Sequence, residues 1–132
     1  LGVGSVLPKQ KDVVHCCQVL EHMPFEKTEQ ALRNIFQLKA KQVVISIPDN
    51  RRFIEIRINL PRLYFHRFIE IPNSGREVNI TNNHEHYWEV GGGRTKEILN
   101  VFRSPPAPYH LVKEYRCIGR PRNRFFIYQR SS

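Results

Sequence analysis

Cysteine is scarce in this chain, and the three residues that occur, Cys16, Cys17 and Cys117, form an odd number. An odd count with two neighbours inside an apolar run is not the pattern of a disulfide framework. No Cys-x-x-Cys spacing is present, so the usual pattern of a structural zinc site is missing too. We therefore expect reduced, buried thiols and a cytoplasmic location.

Long apolar runs and methionine are equally scarce. No run approaches the roughly 18 apolar residues of a membrane-spanning helix, and the first residues lack the basic and apolar pattern of a secretion signal. The single methionine is Met23 and the chain begins at Leu1, which indicates a processed product or a fragment. The 132 residues suit one domain that covers residues 1–132.

Acidic residues are few near the C-terminal end. The net charge is +9, and residues 92–132 hold nine Lys and Arg but only two Glu. A basic end of this kind indicates an anionic partner, such as nucleic acid, a phosphorylated metabolite or a membrane surface. A solvated basic face without a ligand explains the same pattern, and both interpretations stay open.

The first half of the chain has the pattern of a strand, a helix and a second strand. Residues 12–20 are nearly all apolar, as in a strand buried on both faces. Apolar residues between Glu26 and Ala40 recur at spacings of three and four, as on one face of an amphipathic helix. Residues 41–48 are rich in β-branched side chains, which favour a strand. The order predicts two parallel strands joined by a right-handed helical crossover.

The second half is less regular. Residues from Ile54 to Leu60 alternate with period two, which favours a strand, yet a helix is the usual successor of a parallel strand. Both assignments stay open. Residues 73–84 are polar and predict a loop.

Three short elements are predicted near the C-terminal end. Thr95 can cap a helix over residues 96–102. Two strands are predicted over residues 109–117 and 124–129, and the turn between them has a length typical of a hairpin.

The residues of the first strand resemble those of a known enzyme family. Asp12-Val-Val-His-Cys-Cys-Gln-Val-Leu-Glu-His-Met23 resembles the fourth-strand signature of class I S-adenosylmethionine-dependent methyltransferases, an Asp-led apolar strand that ends in Val-Leu-Glu-His. Residues 38–48 resemble that family's next helix end and strand, and the order of elements is similar up to residue 129. The resemblance implies an α/β fold with a partial Rossmann-like methyltransferase sheet, in which parallel strands alternate with helices and the last strand is antiparallel.

The same resemblance implies an S-adenosylmethionine-dependent methyltransferase that acts on a small-molecule or lipid-type substrate, present as a partial chain. The family's glycine-rich cofactor loop is missing, because Gly2-Val-Gly4 neither follows a strand nor precedes a helical pattern. We therefore expect the isolated chain to bind S-adenosylmethionine weakly and to self-associate through an open sheet edge. The alternative function is a non-catalytic basic binding module, a remnant that retains half of the methyltransferase fold. Whether the chain is an enzyme stays open.

Candidate cofactor-binding residues follow from the resemblance alone. Ser5, Val6 and Leu7 would touch the adenine of S-adenosylmethionine. Cys17 and Gln18 would flank the methionine and adenosine parts of the same cofactor.

Glu21 and His22 follow the first strand and are the candidate catalytic residues, because a carboxylate and an imidazole can orient a substrate or take its proton. The alternative is that His22 only caps the loop. Some relatives bind a divalent ion with Glu-x-x-Glu-His and a later His, but Gln18 stands where the first Glu would be. His84 and His86 are available as late ligands, and the sequence still predicts no metal.

Two further features near residue 90 have alternative interpretations. Tyr87 and Trp88 either line a substrate pocket or pack in an aromatic core. Gly91 to Gly93 predict a flexible turn before the last helix.

Overall fold

The computed structural model of the chain describes residues 12–72, 74–75 and 86–131. These residues hold six strands, two α-helices and one short 3-10 turn, in the order β1 (Val13–Cys17), 3-10 turn (Leu20–His22), α1 (Phe25–Gln37), β2 (Gln42–Pro48), β3 (Phe53–Leu60), β4 (Leu63–Glu70), α2 (Thr95–Arg103), β5 (Tyr109–Arg116) and β6 (Asn123–Arg130). Within these ranges, neither helix has the length and the apolar character needed to cross a bilayer.

Four of the strands form one sheet in the order β1-β2-β6-β5. β1 runs parallel to β2, and β6 runs antiparallel to both β2 and β5. β3 and β4 form a separate antiparallel hairpin, with Pro61 and Arg62 between the strands. The strand–helix–strand unit predicted for the first half and the hairpin predicted for residues 109–129 are therefore confirmed as local elements.

The predicted fold class, an α/β partial Rossmann-like methyltransferase sheet, is wrong. Among the described residues, six strands stand against two α-helices and the main sheet is mixed, so helices do not alternate with the strands as that class requires. The reason lies in residues 53–70, where an α/β fold would need a helix to continue its strand–helix order. Their apolar residues alternate with period two, and they pair as two strands of eight residues each. The segment from Ile54 to Leu60, for which the sequence left a strand and a helix open, is therefore a strand.

Helix α1 begins at Phe25, directly after Pro24, and ends at Gln37, three residues before the predicted end at Ala40. Pro24 suits a helix start, because the first turn of a helix does not use the N–H that proline lacks. Lys39 has a φ of 58°, which is incompatible with a right-handed helix. The chain therefore leaves the helix there and turns toward β2.

The core lies between one face of the main sheet and both helices. Ile45 of β2 and Phe126 of β6 are opposite one another in the ladder and fully buried. Phe36 of α1 has its ring 5.1 Å from that of Tyr128, and Phe102 of α2 has its ring 5.2 Å from that of Phe126. Both helices thus cover the same face, whereas a doubly wound sheet has helices on both faces.

A network of charges joins the hairpin to the main sheet. Asp49 is fully buried after β2; its carboxylate accepts from Arg51 at 2.6 Å and lies 3.2 Å from the Arg116 guanidinium. Glu70 of β4 lies 3.2 Å from the same guanidinium and also pairs with Arg124 of β6. Because buried charges are tolerated only when they are paired, this network holds β4 against β5 and β6.

Candidate functional site

Polar side chains collect where the parallel strands β1 and β2 end. Gln18 follows β1 with a φ of 57°. Its backbone N–H donates to the Ser46 carbonyl at 3.2 Å, and its side-chain amide donates to the Ser46 hydroxyl at 3.2 Å. Cys17 is exposed at the same end, so the expectation of a buried thiol is wrong for this residue. The two cofactor residues implied by the resemblance are neighbours at an accessible strand end.

The 3-10 turn after β1 directs Glu21 into the protein. The side chain is fully buried, yet no hydrogen bond from the described part of the chain reaches either carboxylate oxygen. Burial raises the pKa of the Glu21 carboxyl, and the opposing effects of its backbone N–H and of His86 do not cancel the rise. A buried carboxylate that lacks hydrogen bonds is unfavourable for folding, so a purely structural role does not explain it.

The turn is positioned by a buried threonine and by the segment around Trp88. The Thr28 hydroxyl donates to the Leu20 carbonyl at 3.0 Å and accepts from the Trp88 indole N–H at 3.1 Å. The Tyr87 N–H donates to the Glu21 carbonyl at 2.8 Å. Residues far apart in the chain are thereby bound on either side of Glu21.

Two histidines face the Glu21 carboxylate. Glu21 Oε1 lies 3.8 Å from His22 Nε2 and 4.0 Å from His86 Nε2, and the two rings meet edge to face with their centroids 5.1 Å apart. Glu89 Oε1 lies 2.6 Å from His86 Nδ1, and Glu89 Oε2 accepts from the Asn50 amide at 2.6 Å. An ionised Glu89 carboxylate can only accept, so we assign the donor role in this contact to His86 Nδ1. We call Glu21, His22, His86 and Glu89 the Glu21 cluster.

A glycine allows Asn50 to reach this cluster. Gly91 has a φ of 137°, and a Cβ at that position would lie 1.7 Å from Asn50 Oδ1. The Asn50 N–H donates to the Val90 carbonyl at 2.8 Å, and the Val90 N–H donates to the Pro48 carbonyl at 3.0 Å. The end of β2 is therefore bonded directly to the segment that carries His86 and Glu89, and a side chain at Gly91 would separate them.

The Glu21 cluster also has the donor set of a divalent-metal site. Single donor atoms of Glu21, His22 and His86 lie within 4.8 Å of one another. Two imidazoles and a carboxylate are ligands that zinc and several other divalent ions accept. A carboxylate on the far nitrogen of a histidine ligand, as Glu89 is on His86, orients the ring toward a metal. These residues fit a metal ion, although the sequence predicts none.

Only part of the predicted site lies within the described residues. Glu21 and His22 belong to the Glu21 cluster, and Cys17 and Gln18 lie at the strand end that leads into it. Those outside the described residues are Ser5, Val6, Leu7 and His84.

The two aromatic residues near the cluster have different environments. Trp88 is buried, with its ring 5.5 Å from Phe25 and 5.8 Å from Phe102, which confirms the core-packing interpretation for this residue. Tyr87 is 40% exposed beside the Glu21 carbonyl. Of the pair, only Tyr87 is placed to meet a ligand.

Sequence reasoning missed Glu89, Asn50 and Thr28. The first two are 39 residues apart, and no local pattern connects them. The one available signal is that Glu89 stands between two apolar residues, Trp88 and Val90, since a carboxylate inside a buried stretch needs a partner.

Several cations of the basic C-terminal end form ion pairs with acidic residues of the same chain. The cations of this end that form ion pairs with acidic side chains are Arg94, Arg103, Arg116 and Arg124. A cavity of about 530 Å³ between the hairpin and β5 is lined by side chains of both signs. The high net charge of residues 92–132 therefore overstates how much positive charge is available to an anionic partner.

Known proteins provide no independent assignment. Comparison of the chain with protein-family models, with curated proteins and with solved structures finds no match. The functional assignment therefore depends on the Glu21 cluster and on the residues from Asp12 to Met23.

Proposed function

We propose that this chain carries part of the site of an S-adenosylmethionine-dependent methyltransferase that acts on a small-molecule or lipid-type acceptor. One observation carries the proposal. Glu21, a fully buried carboxylate to which no described residue donates a hydrogen bond, faces two histidines directly after the strand that resembles the methyltransferase signature. Ionisable groups held in this unfavourable way are concentrated at functional sites.

Methyl transfer requires that the methyl donor and the acceptor are aligned and that the acceptor loses one proton. Held beside Cys17 and Gln18, S-adenosylmethionine would supply an activated methyl group to an oxygen or nitrogen of the acceptor. In our proposal His86 Nε2 takes the acceptor's proton, Glu89 holds the ring through Nδ1, and Glu21 stabilises the imidazolium that forms. Positioning supplies the rest of the rate, because the donor is already activated.

The alternative, a non-catalytic basic binding module, has less support. Four of the nine cations in residues 92–132 already pair with carboxylates of the same chain. A basic binding module also does not explain why the buried Glu21 carboxylate lacks hydrogen bonds. The alternative remains the outcome to be excluded by the binding experiment that follows.

Calorimetric titration with S-adenosylhomocysteine, the stable product, tests the proposal. Because the glycine-rich loop is missing from this sequence, we expect binding weaker than micromolar. Gln18→Asn shortens the side chain at the strand end but tolerates a positive φ, and it should weaken binding by about tenfold. Gln37→Asn, the same change at the exposed end of α1, is the matched control and should bind like the wild type.

Three results would depart from this expectation, and each has a different meaning. Absence of heat at millimolar ligand would favour the basic binding module. Micromolar binding would support the enzyme but show that the cofactor site is complete in this chain, against our expectation. Equal effects of Gln18→Asn and Gln37→Asn would mean that the ligand binds elsewhere.

A divalent ion in the Glu21 cluster is a second candidate, favoured by the unpartnered Glu21 oxygens between two imidazoles. Cobalt(II) is the probe, because its visible absorption reports nitrogen and oxygen ligation. We expect an absorption band in the wild type, and about 2.7 kcal/mol of added stability at a hundredfold excess over Kd. His86→Ala should lose both effects, and His110→Ala, at an exposed histidine of β5, should keep them. Identical spectra for the two variants would exclude this site.

A further inference from the structure

One face of the β3–β4 hairpin is apolar and open to solvent. In the ladder Ile54 pairs with Ile69, Ile58 with Phe65 and Leu60 with Leu63, and directly paired residues share a face. The apolar members of this surface, which we call the hairpin face, are between 36% and 57% exposed: Ile54, Ile56, Ile58, Leu60, Leu63, Phe65 and Ile69. The remaining member is Arg67, opposite Ile56.

The opposite face of the same hairpin is already used by the protein. Phe53 lies under the Arg116 guanidinium, which is 4.6 Å from the ring centroid. Glu70 pairs with Arg116 and Arg124, and the His66 side chain is only 4% exposed. The hairpin is therefore anchored through one face, and the hairpin face is presented outward.

We propose that the hairpin face is the surface through which two copies of this chain form a dimer. A two-fold axis places the same patch of each copy against the other, and a flat, almost uncharged sheet face is complementary to itself. The two hairpins would stack as two sheets do, about 10 Å apart, with interdigitating side chains.

The area of the hairpin face is consistent with a second copy of the chain as its partner. With the observed exposures, its seven apolar side chains present on the order of 600 Å² of surface, which is at the upper end of the largest patch found on a typical monomer. A standard interface buries about 800 Å² on each partner. The hairpin face together with its rim can therefore supply a complete dimer interface.

Charge argues for a second copy rather than an anionic lipid surface. Residues 53–70 carry three Arg and two Glu, whereas surface-bound membrane elements are rich in cations on their polar side. Arg67, the one charge on the hairpin face, lies over the Phe65 ring with its guanidinium carbon 5.5 Å from the centroid. Its stem can pack in the interface while its head reaches the rim.

Sedimentation velocity of the purified protein tests the proposal over about 1 to 100 µM, where interfaces of this size normally associate. The wild type should become dimeric within that range. The double variant Ile56→Glu with Ile58→Glu places charges at the centre of the face and should stay monomeric. Leu38→Glu, at an apolar residue just after α1 that is more exposed than Ile56 or Ile58, is the control and should dimerise like the wild type.

Ile58→Thr is a milder variant for the case in which the double substitution unfolds the hairpin. Threonine keeps the β-branched shape that suits a strand, so the hairpin is retained while one apolar side chain is lost, and dimerisation should weaken by about tenfold. A wild type that stays monomeric at every concentration overturns the proposal, as does a dimer that none of the face variants weakens. Binding of a monomeric wild type to phosphatidylcholine–phosphatidylserine vesicles would assign the face to lipid and overturn it too.

Discussion

Glu21 and Asp49 are both fully buried carboxylates, but only one is satisfied. Asp49 faces guanidinium groups on Arg51, Arg116 and Arg124. Within the ranges that the structure describes, no group donates a hydrogen bond to either carboxylate oxygen of Glu21. A group retained for stability should resemble Asp49, and a group retained for chemistry can remain unsatisfied.

Replacing the carboxylate by an amide should change the free energy of unfolding in opposite directions at Glu21 and at Asp49. Glu21→Gln removes a buried charge without breaking a bond, so it should raise the free energy of unfolding by about 1 kcal/mol. Asp49→Asn leaves Arg116 buried without its partner and should lower the free energy of unfolding by about 3 kcal/mol or more. Urea denaturation measures both. A Glu21→Gln variant that is clearly less stable than the wild type would give Glu21 a structural role.

For single residues, the sequence predicts those whose position follows from their neighbours along the chain. Glu21 and His22 follow an apolar strand, so their place at a strand end can be foreseen. Glu89 and Asn50 cannot be found in this way, because their contact depends on the close approach of two segments at Gly91. Only the three-dimensional structure brings these segments together.

Between elements, the carboxylate of Glu114 joins β5 to α2 and β6. It accepts from Arg103 at 2.6 Å and from the Arg124 Nε at 2.7 Å. Burial alone would raise the pKa of the Glu114 carboxyl, but these hydrogen bonds outweigh burial and hold the pKa below its ordinary value. Glu114 therefore holds three elements together only while it is ionised.

This lowered pKa predicts an acid-sensitive contribution to stability. A carboxyl whose pKa is lower in the folded state stabilises the protein above its unfolded pKa and loses that contribution as pH falls through the folded pKa. Glu114→Gln should therefore be less stable than the wild type at neutral pH, and the difference should vanish in acid. Thermal unfolding from pH 7 down to about pH 3 follows the difference. Glu97→Gln, at an exposed helix residue, should show little change, and a Glu114 difference that persists in acid would refute the ionic explanation.

Elements are predicted from the sequence where the periodicity is unambiguous. β1, α1, β2, β5 and β6 appear near their predicted bounds. The failure at residues 53–70 is physical. Alternation in Ile54 to Leu60 indicates a strand, but whether such a strand joins the main sheet or pairs with its neighbour depends on β4 and on the Asp49 network. Local periodicity does not carry that information.

For the molecule as a whole, stability depends on the face of the sheet that α1 and α2 cover. Phe126 on that face is fully buried and stacks with Phe102. Phe125, its neighbour in β6, points to the other face, where it is half-buried and stacks on Tyr115 with the ring centroids 5.4 Å apart.

Alanine substitutions at these neighbouring phenylalanines should differ strongly. Phe126→Ala leaves a cavity in the core and should cost about 3–5 kcal/mol. Phe125→Ala should cost about 1–2 kcal/mol, because solvent can occupy part of the space. Urea denaturation of both variants measures the difference. Equal losses would show that the second face of the sheet is covered as completely as the first.

The central claim is that the end of β1 and the Glu21 cluster bind a methyl-donor cofactor. Amide chemical shifts of the isotope-labelled protein, titrated with S-adenosylhomocysteine to millimolar concentration, test it most directly. Our account predicts shifts confined to Cys17, Gln18 and Glu21 and to Tyr87 across the turn, even though binding is weak. Shifts confined to the basic residues after Gly92, or none at saturating ligand, would contradict it.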